Sequence, residues 1–381
     1  MQLTRIRTAS LGVLAFALLA SAQDRIVYKT IDGVPHVLNP SRPLHGTITL
    51  EVARTRTINP YDQPAVGMNS LAFTRRETGE VILFDTNGSE AHRFGPDGKY
   101  LGLLTKKGQG PGEFSPFSFY RVAYHSPDIW VYGSRKVARF DRQGRFQGER
   151  KLQNRCSLSL DTGRFLALDS KQDGPKKQVG ILKEVTFSMD GAETDIELLR
   201  AENIGEIRSA DGRSGFSEPW GTPSFFFAAS RADGRIYCGV NTKYLVRVKD
   251  LAGKDAFIIE REYENIKVKR SEVEKLIPWA LKDEGMKWAL SVYPDRYAAI
   301  RDVAALPMGY LAVYRISGFE AFEIDVFSPK GEYLYVLVPP AGVNIADAQF
   351  FSFGFATVEQ DGDYEVYREY RIKNLPDVFG K

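Results

Sequence analysis

One phrase returns along this chain: an aromatic residue closing an apolar run, a tight turn carrying glycine, then another apolar residue. It reads Arg93-Phe94-Gly95-Pro96-Asp97-Gly98-Lys99-Tyr100 and again Arg139-Phe140-Asp141-Arg142-Gln143-Gly144-Arg145-Phe146. Weaker copies are Thr186-Phe187-Ser188-Met189-Asp190-Gly191 and Val326-Phe327-Ser328-Pro329-Lys330-Gly331-Glu332-Tyr333. The steps between the aromatic positions are 140 − 94 = 46 and 187 − 140 = 47 residues. Short strands and glycine turns repeating every 40–50 residues or so mark the blades of a β-propeller, each of which buries its apolar faces against its neighbours.

The repeat can be counted on its second strands. These follow the turns at Thr78-Gly79, Ser126-Pro127, Thr162-Gly163, Asp233-Gly234, Met308-Gly309 and Phe353-Gly354, and each runs into β-forming residues such as Val81-Ile82-Leu83 or Ile236-Tyr237-Cys238. Six copies predict an all-β chain folded as a six-bladed β-propeller. Third strands follow in the same order, from Glu90 to Phe94 through to Tyr364 to Tyr370. Fourth strands follow in five blades, but the last blade runs out of chain after Lys373. The alternating stretch 46–57, with Ile48, Leu50 and Val52, is expected to supply the missing outer strand, which leaves neither terminal blade with an open edge.

Two intervals break the period. Val248 follows Phe187 by 61 residues, and Phe327 follows Val248 by 79. The first excess is the Gly-, Ser- and Pro-rich loop 203–224, with Phe216 and Trp220. The second is 267–296, a small helical insertion between blades 4 and 5. Ser271 with Glu274 reads as a capping box, and Val273, Leu276, Ile277 and Leu281 make a helical stripe that Pro278 should divide. Trp279 and Trp288 add bulk there. Insertions of this kind gather on one face of a propeller, where ligands and partners bind.

Residues 1–22 read as a cleaved secretory signal peptide: Arg5 and Arg7, an apolar run from Leu11 to Leu19, then Ala20-Ser21-Ala22. The run is shorter than the roughly 20 apolar residues of a spanning helix. This places the mature single domain, 23–381, outside the cytoplasm, secreted or periplasmic, with no membrane span. Cleavage removes two of the formal charges, 3 − 2 = +1, so the remaining surface has no field to attract polyanions, and nucleic acid is not expected as a partner. In an oxidising compartment Cys156 and Cys238 are read either as a disulfide or as two buried thiols.

The strongest local motif is Gly108-Gln109-Gly110-Pro111-Gly112-Glu113-Phe114. It is not a phosphate cradle, because no Gly-Lys-Ser/Thr opens a helix after it and Glu113 would repel phosphate. With Asp128-Ile129-Trp130-Val131 and Val137-Ala138-Arg139-Phe140-Asp141-Arg142-Gln143-Gly144-Arg145-Phe146, the run resembles an NHL repeat, and in particular the secreted bacterial six-bladed β-propeller family. The likeness covers about residues 69–150 and fades to the bare strand pattern beyond. It implies the fold. That family hosts binding proteins, interaction platforms, lyases and hydrolases, so it does not imply one ligand.

Catalytic chemistry is thinly represented. His36, His45, His92 and His125 show no metal-ligand spacing; His92 falls on a third strand and His125 in a β-turn, so no metal site and no cofactor are expected, with a structural Ca²⁺ held by oxygens in the channel as the alternative left open. No Gly-x-Ser-x-Gly elbow occurs. Asp302 and Glu320 are carboxylates in or near one blade, and a glycosidase would need a pair at the right separation.

The remaining candidate is the mouth of the central channel, where the innermost strands begin. The residues there are Asn69, Arg121, Arg155, Phe226, Arg301 with Asp302, and Gln349. The arginines suit a carboxylate or phosphate clamp, or else structural ties between blades. Trp220 suits stacking on a sugar or peptide, or else packing of its loop. The sequence therefore predicts an exported binding or interaction module for a protein or carbohydrate ligand. The alternative is a propeller-type hydrolase or lyase acting on a carbohydrate or lactone-like substrate.

Overall fold

The computed structural model describes residues 25–62, 71–85, 90–116, 119–172, 178–205, 207–208, 215–216, 220–230, 233–276, 283–343 and 345–374. The leader 1–22, Asn69, Ile277, Pro278, Trp279 and Leu281 lie outside the described residues.

Four strands precede the first blade: β1 (Val27–Ile31), β2 (Val34–Asn39), β3 (Thr47–Thr49) and β4 (Val52–Ile58). Blade 1 is β5 (Leu71–Arg75), β6 (Val81–Asp85), β7 (Glu90–Phe94) and β8 (Tyr100–Thr105). Blade 2 is β9 (Phe119–His125), β10 (Asp128–Gly133), β11 (Lys136–Phe140) and β12 (Phe146–Lys151). Blade 3 is β13 (Cys156–Asp161), β14 (Arg164–Gln172), β15 (Gln178–Thr186) and β16 (Thr194–Glu202). The loop after it holds a two-residue ladder of β17 (Ile207–Arg208) and β18 (Gly215–Phe216).

Blade 4 is β19 (Phe225–Ser230), β20 (Arg235–Val240), β21 (Leu245–Asp250) and β22 (Asp255–Arg261). Blade 5 is β23 (Ile300–Ala305), β24 (Leu311–Gly318), β25 (Ala321–Phe327) and β26 (Tyr333–Val338). Blade 6 is β27 (Gln349–Phe351), β28 (Gly354–Asp361) and β29 (Tyr364–Ile372), with β4 as its outer strand. The fold is a six-bladed β-propeller.

Burial explains the strand sequences. Second strands are covered on both faces by adjacent blades, and Val81-Ile82-Leu83-Phe84-Asp85 is buried at every position. Outer strands keep one wet face, so Tyr100–Thr105 alternates. The core is accordingly a ring of inter-blade clusters. One joins Ile82, Phe84 and Phe114 to Val131 and Phe140; another joins Trp130 and Tyr132 to Phe165 and Phe187.

The recurring phrase is the turn between third and fourth strands. Gly98, Gly144 and Gly331 adopt φ of 80°, 82° and 85°, the left-handed region that favours glycine. Blade 4 carries a further copy that the sequence pattern hides, at Asp250-Leu251-Ala252-Gly253. Its hydrogen bonds, Asp250 N to Lys254 O and Gly253 N to Asp250 O, match those of the Asp141–Arg145 turn.

Each of these turns is gripped by an arginine from the preceding blade. Arg56 of β4 donates to the carbonyls of Gly95 and Pro96 at 3.0 and 2.8 Å. Arg93 reaches Gln143 and Arg142 at 2.5 and 2.9 Å. Arg150 reaches Ser188, Arg164 reaches Leu251 at 3.3 Å, and Arg235 reaches Pro329 at 2.5 Å. Blades 4 and 5 share a deeper tie. The fully buried Asp325 carboxylate accepts from Tyr244 (2.6 Å), Tyr333 (2.8 Å), Arg261 (2.7 Å) and Arg315 (3.0 Å).

The N-terminal stretch does more than close the ring. β2 pairs parallel to β22 of blade 4 and β3 parallel to β26 of blade 5; β4 then pairs antiparallel to β29. The stretch 46–57 is thus two strands on two blades: Leu50 N still donates to Val338 O of blade 5, while Glu51 O already accepts from Lys373 N beyond blade 6's last strand. The Gly108–Phe114 motif is a closed turn. Gly108 N donates to Phe114 O, Phe114 N to Lys106 O, and Gly110 N to the Glu113 carboxylate, while Phe114 is buried between blades 1 and 2.

Both insertions join a fourth strand to the next first strand, so both lie on the face where the innermost strands begin. Helices Arg270–Leu276 and Asp283–Val292 pack there with Trp220, through Val273, Ala289, Tyr293 and Tyr297. The first helix starts two residues earlier than a cap at Ser271 predicts, with Lys269 in the capping position. The Glu272 carboxylate accepts the Lys269 N–H at 2.8 Å and Lys269 O accepts Glu272 N–H, so the box is Lys269–Glu272. Glu274 instead pairs with Arg270. No helix of the described residues is long and apolar enough to cross a membrane.

Candidate functional site at the axial mouth

The strand order sets the geometry. β9 belongs to blade 2 and β23 to blade 5, which face each other across a six-membered ring. Arg121 lies near the start of β9 and Asp302 near the start of β23. Both side chains are open to solvent, yet protein surrounds them, as the wall of a narrow channel requires. That enclosure lowers the Arg121 guanidinium pKa by stripping bulk water, while Cys156 and Asp302 favour its charge. Among the described residues no hydrogen bond or ion pair ties down the Arg121 guanidinium.

Asp302 feels the same enclosure with the opposite consequence. Desolvation pushes its carboxyl up to about 6, and the neighbouring Asp347 carboxylate adds to the rise. The Val303 N–H, which donates to Asp302 Oδ1 at 2.8 Å, holds it down, as do Arg301 and Arg121. Tyr314 stands behind this pair on β24. Its hydroxyl donates to Ile345 O at 3.0 Å, and burial with Asp302 and Asp347 drives its pKa upward.

The other sequence candidates have more structural positions. The Arg301 guanidinium sits over Phe322 at 5.1 Å and Trp220 at 5.7 Å. Trp220 is only 8% exposed, and its main-chain oxygen accepts Ala298 N–H. Its ring is therefore a packing surface that supports Arg301, not an open stacking face. Arg155 is exposed one residue before β13, beside the buried Cys156. Phe226 is buried in the core between blades 4 and 5. Gln349 is a structural tie: its amide exchanges hydrogen bonds with the Arg75 backbone at 3.0 and 3.1 Å.

Asp347 escaped the sequence reading. It stands two residues ahead of β27, so the rule that selected Arg155, a polar residue just before an innermost strand, would have found it. His125 is the last residue of β9 and not a turn residue; its Nε2 lies 2.6 Å from Ser159 Oγ between blades 2 and 3. His92 is wholly buried, which lowers its imidazole pKa. Among the described residues no group of three or more His, Cys, Asp or Glu side chains is placed to hold a metal. Cys156 and Cys238 are separate buried thiols on blades 3 and 4, not a disulfide.

No protein-family model matches the chain, and no curated protein matches it. Solved structures resemble it in chain path. A candidate exported protein from Bacteroides fragilis NCTC 9343 aligns at 10% identity over 86% of this chain and 99% of its own, with a TM-score of 0.47. A member of the DUF4221 family from Bacteroides vulgatus ATCC 8482 aligns at 12% over 85% and 99%, with a TM-score of 0.46. Virginiamycin B lyase from Staphylococcus aureus aligns at 11% over 84% and 100%, with a TM-score of 0.42. Similarity at this level leaves the blade count to the strand pairing described above.

Proposed function

We propose that this chain is an exported binding module that holds a small anionic ligand at the axial mouth. The observation carrying this reading is Arg121, a guanidinium reachable by solvent, enclosed by the channel wall and untied by any described side chain. An enclosed guanidinium offers two parallel N–H donors to a carboxylate or phosphate in a site where water competes poorly. Asp302 and Asp347 on the facing wall accept from hydroxyl or ammonium groups on the same ligand. The leader 1–22 supports export.

The second reading is catalysis at the same mouth, favoured by a carboxyl held at about 6 where it can both give and take a proton near neutrality. Calorimetric titration of the mature chain with a panel of small carboxylates and phosphates separates these readings. The binding module predicts recovery of unchanged ligand and at least a tenfold loss of affinity in Arg121→Gln. Affinity that is equal in both proteins removes the axial anion site. Turnover that disappears in Asp302→Asn converts the module into an enzyme.

A further inference from the structure

A cavity of about 340 Å³ opens on the face opposite the axial mouth, where the innermost strands of blades 2, 3 and 4 end. Its polar side includes His125, Asp161, Thr162, Arg164 and Ser230, and its apolar side includes Tyr124 and Leu251. The volume is at the small end of the roughly 300–1,000 Å³ found for ligand pockets, enough for one ring and not a chain.

The polar side is rigidly held. Arg164 donates through Nε and Nη2 to Asp161 Oδ2 at 2.8 and 2.5 Å, and through Nη1 to Glu184 Oε1 and Leu251 O, both at 3.3 Å. Asp161 Oδ1 accepts the Gly163 N–H at 3.1 Å, which fixes the carboxylate in the turn. One guanidinium thus serves two carboxylates. Apart from His125, whose Nε2 is engaged with Ser159 Oγ at 2.6 Å, the lining carries no cation beyond Arg164, so it suits an anion less than the axial mouth does. Asp161 remains 42% exposed, so its outer lone pairs are open to donors from a ligand. Fixed planar acceptors beside hydroxyl-bearing Thr162 and Ser230 suit adjacent hydroxyls, and the Tyr124 and Leu251 wall suits a C–H face.

We infer that this cavity is a second ligand site, distinct from the axial mouth, for a neutral pyranose. The sugar's vicinal hydroxyls bond the Asp161–Arg164 pair and its apolar face lies toward Leu251.

The test uses saturation-transfer NMR on the mature chain with D-glucose, D-galactose and N-acetylglucosamine as probes. At least one is expected to bind with a Kd of about 1 mM or tighter. Leu251→Trp fills the cavity while leaving the carbonyl that Arg164 uses. Asp161→Asn keeps the acceptor for Gly163 while removing the charge. Each should weaken binding at least tenfold, and Arg121→Gln should leave it unchanged. No binding by any of the three sugars overturns the inference. So does binding that survives both cavity variants, or binding that Arg121→Gln abolishes. A variant that fails to fold is replaced by the other, since the two act on opposite walls.

Discussion

Arg93 of blade 1 donates to the main-chain oxygen of Gln143 in blade 2 at 2.5 Å. The contact lands on the recurring Phe-turn-Gly phrase, where a Cβ on Gly144 would stand 2.8 Å from the Arg93 guanidinium. The glycine therefore serves both its own backbone and the arrival of the neighbour. Equivalent arginines at positions 56, 150, 164 and 235 make the turns into sockets at five blade junctions.

Arg93→Met should remove two charge-assisted hydrogen bonds and leave the turn carbonyls to water. The expected loss is roughly 1–3 kcal/mol, read as a lower urea midpoint with an unchanged slope.

Asp325→Ala should cost more, about 3–5 kcal/mol, because it leaves Arg261 and Arg315 buried without their shared carboxylate. The two guanidiniums have side chains only 7% and 10% exposed. Circular dichroism during chemical unfolding measures the difference from the parent protein.

Deletion through Ile31 should be tolerated, since β1 is exposed along its whole length. Deletion through Ile58 strips the outer strand from blade 6 and uncovers Tyr367 and Ile372, which pair against β4. That protein should lose cooperative unfolding and bind a hydrophobic dye.

Cys156 and Cys238 should resist a disulfide reagent at pH 8 in the native state. Burial pushes both thiols up to about 12, so almost no thiolate is present. Both should react once the chain is unfolded, and the count of released thiolate checks that they do not pair.

Asp302 gives a pH dependence with a definite sign. Its folded-state pKa, about 6, lies above the ordinary 3.8, so its contribution to stability is fully present below 3.8 and is lost as pH rises through about 6. Asp302→Asn should be the more stable protein at pH 7, by roughly 1 kcal/mol or less because the side chain is solvent-accessible, and the advantage should vanish at pH 3.5 or so. Anion binding at Arg121 should strengthen on acidification in the parent protein. In Asp302→Asn it should be flat over the same range.

The blade count was legible because a blade is a local object. Phe94 and Gly98, or Phe140 and Gly144, lie within one hairpin, and nearest-neighbour chemistry dictates their turn. The positions of the two insertions were legible for the same reason, as departures from a period. The cap at Lys269 was misjudged by the sequence rule because lysine is a poor capping side chain; here the box closes through the Glu272 carboxylate and the Lys269 main chain.

What the linear pattern withheld depends on separation along the chain. Arg121 and Asp302 are 302 − 121 = 181 residues apart, and only closure of the ring puts blades 2 and 5 on opposite sides of one channel. β2 and β22, about 220 residues apart, meet by the same closure. Trp220 suited either a ligand or the packing of its own loop, and its burial against the helical insertion decides for packing. The sequence by itself determined the repeating unit and its number, since the turns and strand pairings of each unit are made by residues close together in the chain. The tertiary structure decided the channel wall, the raised Asp302 carboxyl and the off-axis cavity, since charge, burial and enclosure arise only where distant blades converge.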